Sequence, residues 1–257
     1  MKIKFAALVA GSLGLFAAGG ALAQVTFSPF VASTGGAPIG FSYAGNKFVG
    51  SNYFNNQLYQ TDLNGGNVQA FGAPIPIPGG SIGEIYVSSA LGLGGFGSST
   101  ARDVFVGSES AGNIYRFSND GSTQTLFASG LVGGIRGIAF DPFGTYGNKM
   151  LVTTRAGNVY TVDSGGVASL LANVGGDAEG LDFAPQSFGN IAAGTLVVVS
   201  EGTGRLNAIS ASGVKTDLGL QFNTPEMLSF VPTNLGASGN PLEGCSRASM
   251  PQTMRTT

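Results

Sequence analysis

Histidine and tryptophan are absent from this chain, and cysteine occurs once in 257 residues. Without histidine, the protein lacks the usual general base near neutral pH, the usual base of a Ser-His-Asp triad and the commonest imidazole ligand of metal ions. Because Cys245 is the single cysteine, no internal disulfide can form. These absences exclude histidine-based hydrolysis and any fold that depends on internal disulfide bridges.

Charge is also scarce, since only 10% of the residues are Asp, Glu, Lys or Arg and the formal net charge is −2. The sequence has no basic stripe, so we do not expect nucleic acid as a partner. The phosphate-binding pattern GxxxxGK[ST] is missing as well. Composition therefore points to no nucleotide or nucleic-acid chemistry.

The N-terminus has the three parts of a secretory signal. Lys2 and Lys4 form the basic start, an apolar run extends over 5–16, and 21–23 reads Ala-Leu-Ala, a small-residue cleavage site. We expect residues 1–23 to be removed on export, leaving a secreted or periplasmic protein with no membrane span. The alternative is an uncleaved membrane anchor, but the run is broken by glycine and shorter than the ~20 apolar residues that span a bilayer.

Glycine is abundant, with 43 residues, and the chain contains an internal repeat. Each copy has a β-branched or aromatic run, a second strand, a tight glycine turn and a third strand. The glycine turns supply the positive φ that short hairpins require. The four copies begin at Asn46, Arg102, Asn148 and Gly194.

A further strand precedes each copy, and a fifth version of it follows the last copy. Large residues alternate with small ones along it, which predicts a strand with a bulky face and a thin face. Sheets stacked face to face would pack each bulky face on a neighbour's thin face. The five strands are PIGFSY (38–43), SIGEIYV (81–87), IRGIAF (135–140), AEGLDF (178–183) and PEMLSF (225–230).

Four strands in each unit of about 45 residues predict an all-β fold, a β-propeller with about five four-stranded blades, or six. Residues 24–244 form the propeller domain in this prediction. The segment 25–33 resembles the fourth strands, so we expect it to complete the last blade and close the ring of a monomer. A β-sandwich is the competing architecture, but its strands would not recur at one fixed long period.

The last blade is incomplete in this interpretation, because the strand pattern ends at Gly244. Residues 245–257, CSRASMPQTMRTT, show no alternation and are expected to form an irregular tail. A truncated or frame-shifted end and a natural tail are the two alternatives.

The units GGIRGIAFDPFG (133–144), NKMLVTTRAGNVYTVDSGG (148–166) and AEGLDFAP (178–185) resemble a propeller superfamily. It includes NHL repeats, gluconolactonase (senescence-marker-type) enzymes and strictosidine-synthase-like proteins, and the resemblance covers residues 25–244. Gluconolactonase-like members bind a divalent cation such as calcium in the central channel through a Glu, an Asn and an Asp.

The resemblance implies a candidate metal site. Glu179-Gly180 matches the family's Glu-Gly motif, and Glu226 is the acidic residue at the same position of the next unit, so these two would be the metal ligands. The expected asparagine is missing, because the remaining equivalent positions hold Ile39, Gly83 and Arg136.

Three charged residues begin consecutive inner strands: Arg136, Glu179 and Glu226. We expect them to meet at the channel mouth and to be paired, since an unpaired buried charge costs several kcal/mol. Two interpretations stay open. One is an Arg–Glu network that holds the blades around channel water, and the other is a binding pocket for a polar ligand.

The other charged residues are expected to have no functional role beyond solvation or turn structure. We expect turn charges between strands to be solvated: Glu109, Arg155 and Glu201. We expect Asp62 and Asp163, which precede glycine turns, to brace them through backbone hydrogen bonds. Asp141, followed by Pro142, ends an inner strand and is expected to have a turn role.

The function predicted from the sequence is non-enzymatic binding or scaffolding of a small molecule or a protein, with no cofactor. The alternative is a lactonase-like hydrolase or lyase with a divalent cation in the channel. A third alternative is a broken gene product without activity.

Overall fold

The computed structural model describes residues 29–77, 83–231 and 233. Residues 1–23 and 245–257, predicted to be a signal peptide and a tail, lie outside this part. The chain divides into two compact units, Met1–Phe30 and Val31–Thr257, and the description below concerns the second unit. No helix in the described part is long and apolar enough to cross a membrane.

Four antiparallel sheets, each built from four consecutive strands, make up the described residues. Sheet 1 contains β1 (Pro38–Tyr43), β2 (Phe48–Asn52), β3 (Asn55–Thr61) and β4 (Gln69–Phe71). Sheet 2 contains β5 (Ile85–Ser89), β6 (Val104–Ser108), β7 (Ala111–Phe117) and β8 (Gln124–Ala128). Sheet 3 contains β9 (Ile135–Phe140), β10 (Met150–Thr154), β11 (Asn158–Val162) and β12 (Ala168–Asn173). Sheet 4 contains β13 (Ala178–Phe183), β14 (Leu196–Ser200), β15 (Arg205–Ile209) and β16 (Lys215–Gln221).

The turn before the fourth strand of each sheet contains a glycine with positive φ, as predicted. These glycines are Gly65, Gly121, Gly166 and Gly213, with φ of 78°, 76°, 83° and 84°. Such a conformation is strained for residues that carry a Cβ atom. The repeated glycine turns therefore follow from backbone sterics.

Aspartates brace these turns as the sequence predicts. Oδ1 of Asp62 accepts hydrogen bonds from the backbone N–H groups of Asn64 and Gly66 at 2.8 and 2.9 Å. Oδ1 of Asp163 accepts in the same way from Gly165 and Val167. Asp141 accepts three backbone hydrogen bonds in the loop after β9.

The hydrophobic core lies between successive sheets. Leu58 and Phe71 of sheet 1 pack with Val106 of sheet 2, and equivalent clusters join sheet 2 to sheet 3 and sheet 3 to sheet 4. A fully buried side chain of this kind stabilises the fold by about 1.5–3 kcal/mol. Glycine lets the sheets approach, because a Cβ on Gly137, on the thin face of β9, would lie 2.5 Å from a methyl group of Leu181, on the bulky face of β13. The predicted packing of bulky faces on thin faces is confirmed.

Two predicted strands are wrong in the described part. Residues 225–230 form no strand, although the segment runs beside β13 and the N–H of Phe230 donates to Asp182 Oδ2 at 2.6 Å. A strand needs a hydrogen-bonded neighbour, and the described residues provide none for this segment. Residues 29–33 of the predicted closing strand form bends, where Pro29 removes a backbone donor, and 25–28 lie outside the described part. The predicted blade count is therefore not confirmed.

The predicted register of the second unit is wrong by two residues. The sequence alignment made Ile85 the equivalent of Ile138. In the structure, Val87 pairs with Val106 in the same way as Ile138 pairs with Val152. Val87 is therefore the equivalent of Ile138. The strand accordingly spans Ile85–Ser89, two residues beyond the predicted 81–87. This shift places Glu84 immediately before the strand.

Candidate functional site

Arg136 and Glu179 lie at β-bulges near the starts of β9 and β13. Thr153 pairs with Gly137 and Thr154 pairs with Ile135, which leaves Arg136 as the extra residue. The register of β13 shifts between Ala178 and Leu181, the span that contains Glu179. A bulge redirects a side chain from its regular position. Both side chains are buried, with 7% and 5% of the residue exposed.

Five carboxylates surround the guanidinium group of Arg136. Asp177 binds it through two parallel hydrogen bonds, Nε–Oδ1 at 2.8 Å and Nη2–Oδ2 at 2.6 Å. This paired geometry is the strong form of a charge-assisted hydrogen bond. The other four carboxylates are those of Glu84, in a very short contact, Glu109 at 3.1 Å, Glu201 at 3.6 Å and Glu179 at 3.9 Å.

Tyr86 completes this group, which we call the Arg136 cluster: Arg136, Tyr86, Glu84, Glu109, Asp177, Glu179 and Glu201. Its hydroxyl oxygen accepts a hydrogen bond from Nη1 of Arg136 at 3.0 Å, lies 2.6 Å from Oε1 of Glu179 and also contacts Glu84. A phenol has one proton, so it can donate to only one of the two carboxylates. The second contact is a hydrogen bond only if that carboxyl group carries a proton. The geometry therefore favours one protonated glutamate in the cluster.

The protonated residue is Glu179. Burial raises its pKa from 4.5 to about 8, and the charges of Glu84 and Glu201 act in the same direction. The hydrogen bond from Tyr86 and the charge of Arg136 oppose this shift without cancelling it. Oε2 of Glu179 is buried and has no hydrogen-bond partner in the described part of the chain. A neutral carboxyl group tolerates this position better than a carboxylate does.

The pKa values of three other members of the cluster are shifted as well. Burial alone would lower the pKa of Arg136, but the hydrogen bond to Asp177 raises it, so the guanidinium stays charged. Burial raises the pKa of Tyr86, and its hydrogen bonds to the glutamates act in the same direction. Burial and the charge of Asp177 raise the pKa of Glu201. At neutral pH the cluster therefore contains one cation, a neutral phenol and several negative charges.

The structure brings together two of the three charges expected to meet. Arg136 and Glu179 are 3.9 Å apart, whereas Glu226 is exposed and reaches the cluster only through its charge, which raises the pKa of Glu201. The expectation that Glu109 and Glu201 are solvated is wrong, because both pair with Arg136. Arg155 has a 64% exposed side chain, in agreement with its predicted position.

Sequence reasoning missed Glu84, Tyr86 and Asp177. The register error of two residues hid Glu84 and Tyr86, because it placed both in the interior of a strand at 81–87, whereas they lie at the start of β5. Asp177 precedes β13 directly, two residues before Glu179. A second acidic residue so close to Glu179 in the sequence was a signal that could have placed Asp177 in the same site.

The cluster does not fit the divalent cation that the family resemblance implies. The acidic oxygens that could bind a cation already converge on the guanidinium of Arg136, whose charge would repel a metal ion at close range. Among residues 29–77, 83–231 and 233, no group of three or more acidic or cysteine side chains is arranged to hold a metal. The wild-type geometry therefore supports no metal-dependent step.

A second concave region lies at the opposite ends of the same inner strands. It is a pocket of about 360 Å³ with walls that include Ser42, Ser88 and Asp182. Arg102 lies over the ring of Tyr43 at its edge, 5.2 Å from the ring centre. This pocket has far less charge than the Arg136 cluster.

The solved structures that are similar to this chain include two with different functions in their names. A chain of the nidogen/laminin complex matches with a TM-score of 0.55 at 12% identity, over 76% of this chain and 68% of that one. A structure of streptogramin B lyase matches with a TM-score of 0.55 at 12% identity, over 74% of this chain and 57% of the lyase chain. The chain folds as a β-propeller. No family model and no curated protein sequence matches it.

In the propeller, each sheet is a blade, and β1, β5, β9 and β13 are the inner strands that border the central channel. Successive inner strands contact each other. The Arg136 cluster lies where the inner strands of blades two, three and four begin, at one mouth of the channel. The predicted β-propeller fold is confirmed.

Proposed function

We propose that the protein is an exported binding propeller that takes a positively charged group of a partner at the channel mouth, without catalysis. The observation that carries this proposal is the imbalance of the Arg136 cluster, in which five acidic side chains surround one guanidinium group and only Glu179 among them is assigned a proton. Lysine or arginine side chains of a partner protein would compensate the excess negative charge.

The outer carboxylates of the cluster are accessible to such a group. The side chains of Glu84 and Glu201 are 20% and 28% exposed, while Glu179 lies deeper. Protein binding also agrees with the nidogen/laminin chain, a propeller neighbour solved as part of a protein complex. Catalysis has less support, since the chain has no histidine.

The test is the binding of a fluorescent lysine–serine peptide, followed by anisotropy and compared with a glutamate–serine peptide of equal length. We expect only the basic peptide to bind, and more weakly as salt increases. Glu109→Gln and Glu201→Gln should each weaken binding about two- to fivefold, since a partly exposed charge pair contributes about 0.5–1 kcal/mol.

Asp217→Asn is the matched control, because Asp217 is an exposed carboxylate outside the cluster. Its affinity for the basic peptide should equal that of the wild type. Equal binding of both peptides, or unchanged binding by the Glu109→Gln/Glu201→Gln double variant, would overturn the proposal.

A second candidate function is hydrolysis or elimination of a lactone-like substrate. The pKa of Glu179 near 8 favours it, because a group that titrates near neutral pH can act as an acid or a base. Streptogramin B lyase is a neighbour with a lyase activity in its name. Turnover of a lactone panel that is lost in Glu179→Gln would support this candidate, whether or not calcium is added.

A further inference from the structure

We propose that the guanidinium of Arg136 is a built-in counter-ion of a carboxylate cage, and that removing its charge creates a binding site for calcium or a lanthanide ion. This inference goes beyond the proposed function and does not depend on peptide binding. It explains why the wild-type site does not fit a metal although acidic side chains surround it on several sides.

The oxygen atoms around Nη1 of Arg136 carry the argument. Tyr86 Oη lies at 3.0 Å, Glu109 Oε2 at 3.1 Å and Glu179 Oε1 at 3.9 Å, and Oε2 of Glu84 is in a very short contact. These side chains come from β5, the turn after β6, and β13, so they surround the nitrogen from different elements. A nitrogen atom with converging oxygen neighbours from several strands occupies the place that a hard cation would take.

Asp177 and Glu201 extend the cage around the neighbouring nitrogen. Asp177 Oδ2 is 2.6 Å and Glu201 Oε2 is 3.6 Å from Nη2. Calcium takes about six to eight oxygen ligands at roughly 2.3–2.6 Å, and water can complete its shell. An ion at the position of Nη1 would need inward movements of about 0.5–1.5 Å by the oxygens of Tyr86, Glu109 and Glu179 once the guanidinium is gone. Asp177 and Glu201, which face Nη2, would add negative charge from that side.

Glu179 supplies an independent indication of a missing ligand. Its Oε2 atom is buried without a partner in the described residues, in a side chain that is 6% exposed. A cation in the cage would bind the oxygens of this carboxyl group directly and give Oε2 a partner. The Arg136 guanidinium cannot do so, because its donors already contact the other carboxylates.

Charge decides which cation the cage accepts. A guanidinium carries one positive charge against five acidic side chains, so a divalent or trivalent ion would balance the site better. In the wild type the fixed guanidinium occupies the space and repels a second cation. Arg136 therefore excludes metal ions from a site that would otherwise bind them.

The experiment compares the full chain with its Arg136→Ala and Arg136→Lys variants. Terbium is the probe, because tyrosine sensitises its emission and Tyr86 would lie beside the bound ion. We expect saturable emission with one ion bound in Arg136→Ala, competition by calcium, and a calcium-dependent rise of the melting temperature. The calcium affinity should be on the order of 10⁻⁴–10⁻³ M, as in weak calcium modules.

The wild type and Arg136→Lys are the controls, since both keep a positive charge in the cage. We expect at least tenfold weaker terbium binding in each, that is, more than about 1.4 kcal/mol. Binding by the wild type as tight as by Arg136→Ala would overturn the proposal, and so would a folded Arg136→Ala without binding.

Arg136→Ala can fail to fold without a cation, because it leaves like charges facing each other. In that case the variant is refolded in millimolar calcium. The double variant Arg136→Met/Glu201→Gln is a second test, because it has one carboxylate fewer and therefore less repulsion. Calcium-dependent folding of either variant supports the cage. Failure of both variants to fold or bind in calcium refutes it.

Discussion

Glu179 holds a proton because a β-bulge turns it into a buried position among other acids. Burial raises its pKa most, Tyr86 and Arg136 lower it, and the charge of Glu84 raises it again; none of these three residues is near Glu179 in the sequence. A raised pKa in the folded protein means that the folded state binds this proton more tightly than the unfolded chain does. The residue therefore links stability to pH.

The first prediction follows from that linkage. The proton on Glu179 contributes to the free energy of unfolding, and this contribution is fully present below about pH 4.5 and is lost as the pH rises through about 8. Wild-type stability should fall over this window by on the order of a few kcal/mol. Glu179→Gln keeps a neutral side chain, so its unfolding free energy from urea titrations should fall less and should exceed the wild-type value above pH 8.

Asp217→Asn controls for the loss of any carboxyl group, since Asp217 is exposed and pairs only loosely with Arg205 at 3.7 Å. Its pH dependence should match the wild type. If Glu179→Gln shows the same slope as the wild type between pH 4.5 and 8, Glu179 is ionised in the native protein and the description of the cluster is wrong.

At the scale of the elements, stacking of neighbouring blades depends on small residues in the inner strands. A Cβ on Gly137 would lie 2.5 Å from the backbone oxygen of Glu179 and 2.5 Å from a methyl group of Leu181. The backbone oxygen belongs to the next inner strand and cannot move aside like a flexible side chain. The thin face is therefore a steric requirement of the blade interface.

The second prediction tests this contact. Gly137→Ala should destabilise the protein by about 1–3 kcal/mol, as overpacking does, which corresponds to a drop of several degrees in melting temperature. Gly165→Ala is the control, because the nearest atom to its Cβ would be Asp163 Oδ1 at 3.3 Å in an exposed turn. Calorimetry that finds equal melting temperatures for the two variants would rule out close blade packing at Gly137.

At the scale of the whole molecule, four blades are described and their repeat is continuous along the chain. Each blade packs mainly on its neighbours in sequence. This arrangement needs no disulfide, in keeping with the single cysteine. A fold stabilised by apolar layers alone is compatible with export.

The third prediction concerns export. When the full chain is expressed in a bacterium with a periplasm, residues 1–23 should direct secretion and be cleaved before Gln24. Mass spectrometry of the periplasmic fraction should give a protein that begins at Gln24. A mature protein that retains Met1, or one confined to the cytoplasm, would contradict the predicted signal.

The sequence alone determined the repeated four-stranded unit, because alternation and glycine turns depend on residues close together in the chain. It predicted β1, β9 and β13 with their observed bounds and the bracing roles of Asp62 and Asp163. It also placed Arg136 and Glu179 together, since repeat units put equivalent residues at equivalent places.

Only the tertiary structure decided which other charged residues join Arg136 and Glu179, and which acidic side chain keeps a proton. Glu84, Glu109, Asp177 and Glu201 come from blades two and four and from the connections that precede them, and they meet around Arg136 of blade three because the starts of the inner strands converge. The shifted register of β5 and the bulges of β9 and β13 set which side chains face the mouth. Burial then sets the pKa of Glu179, and burial is a property of the packed blades that no local pattern contains.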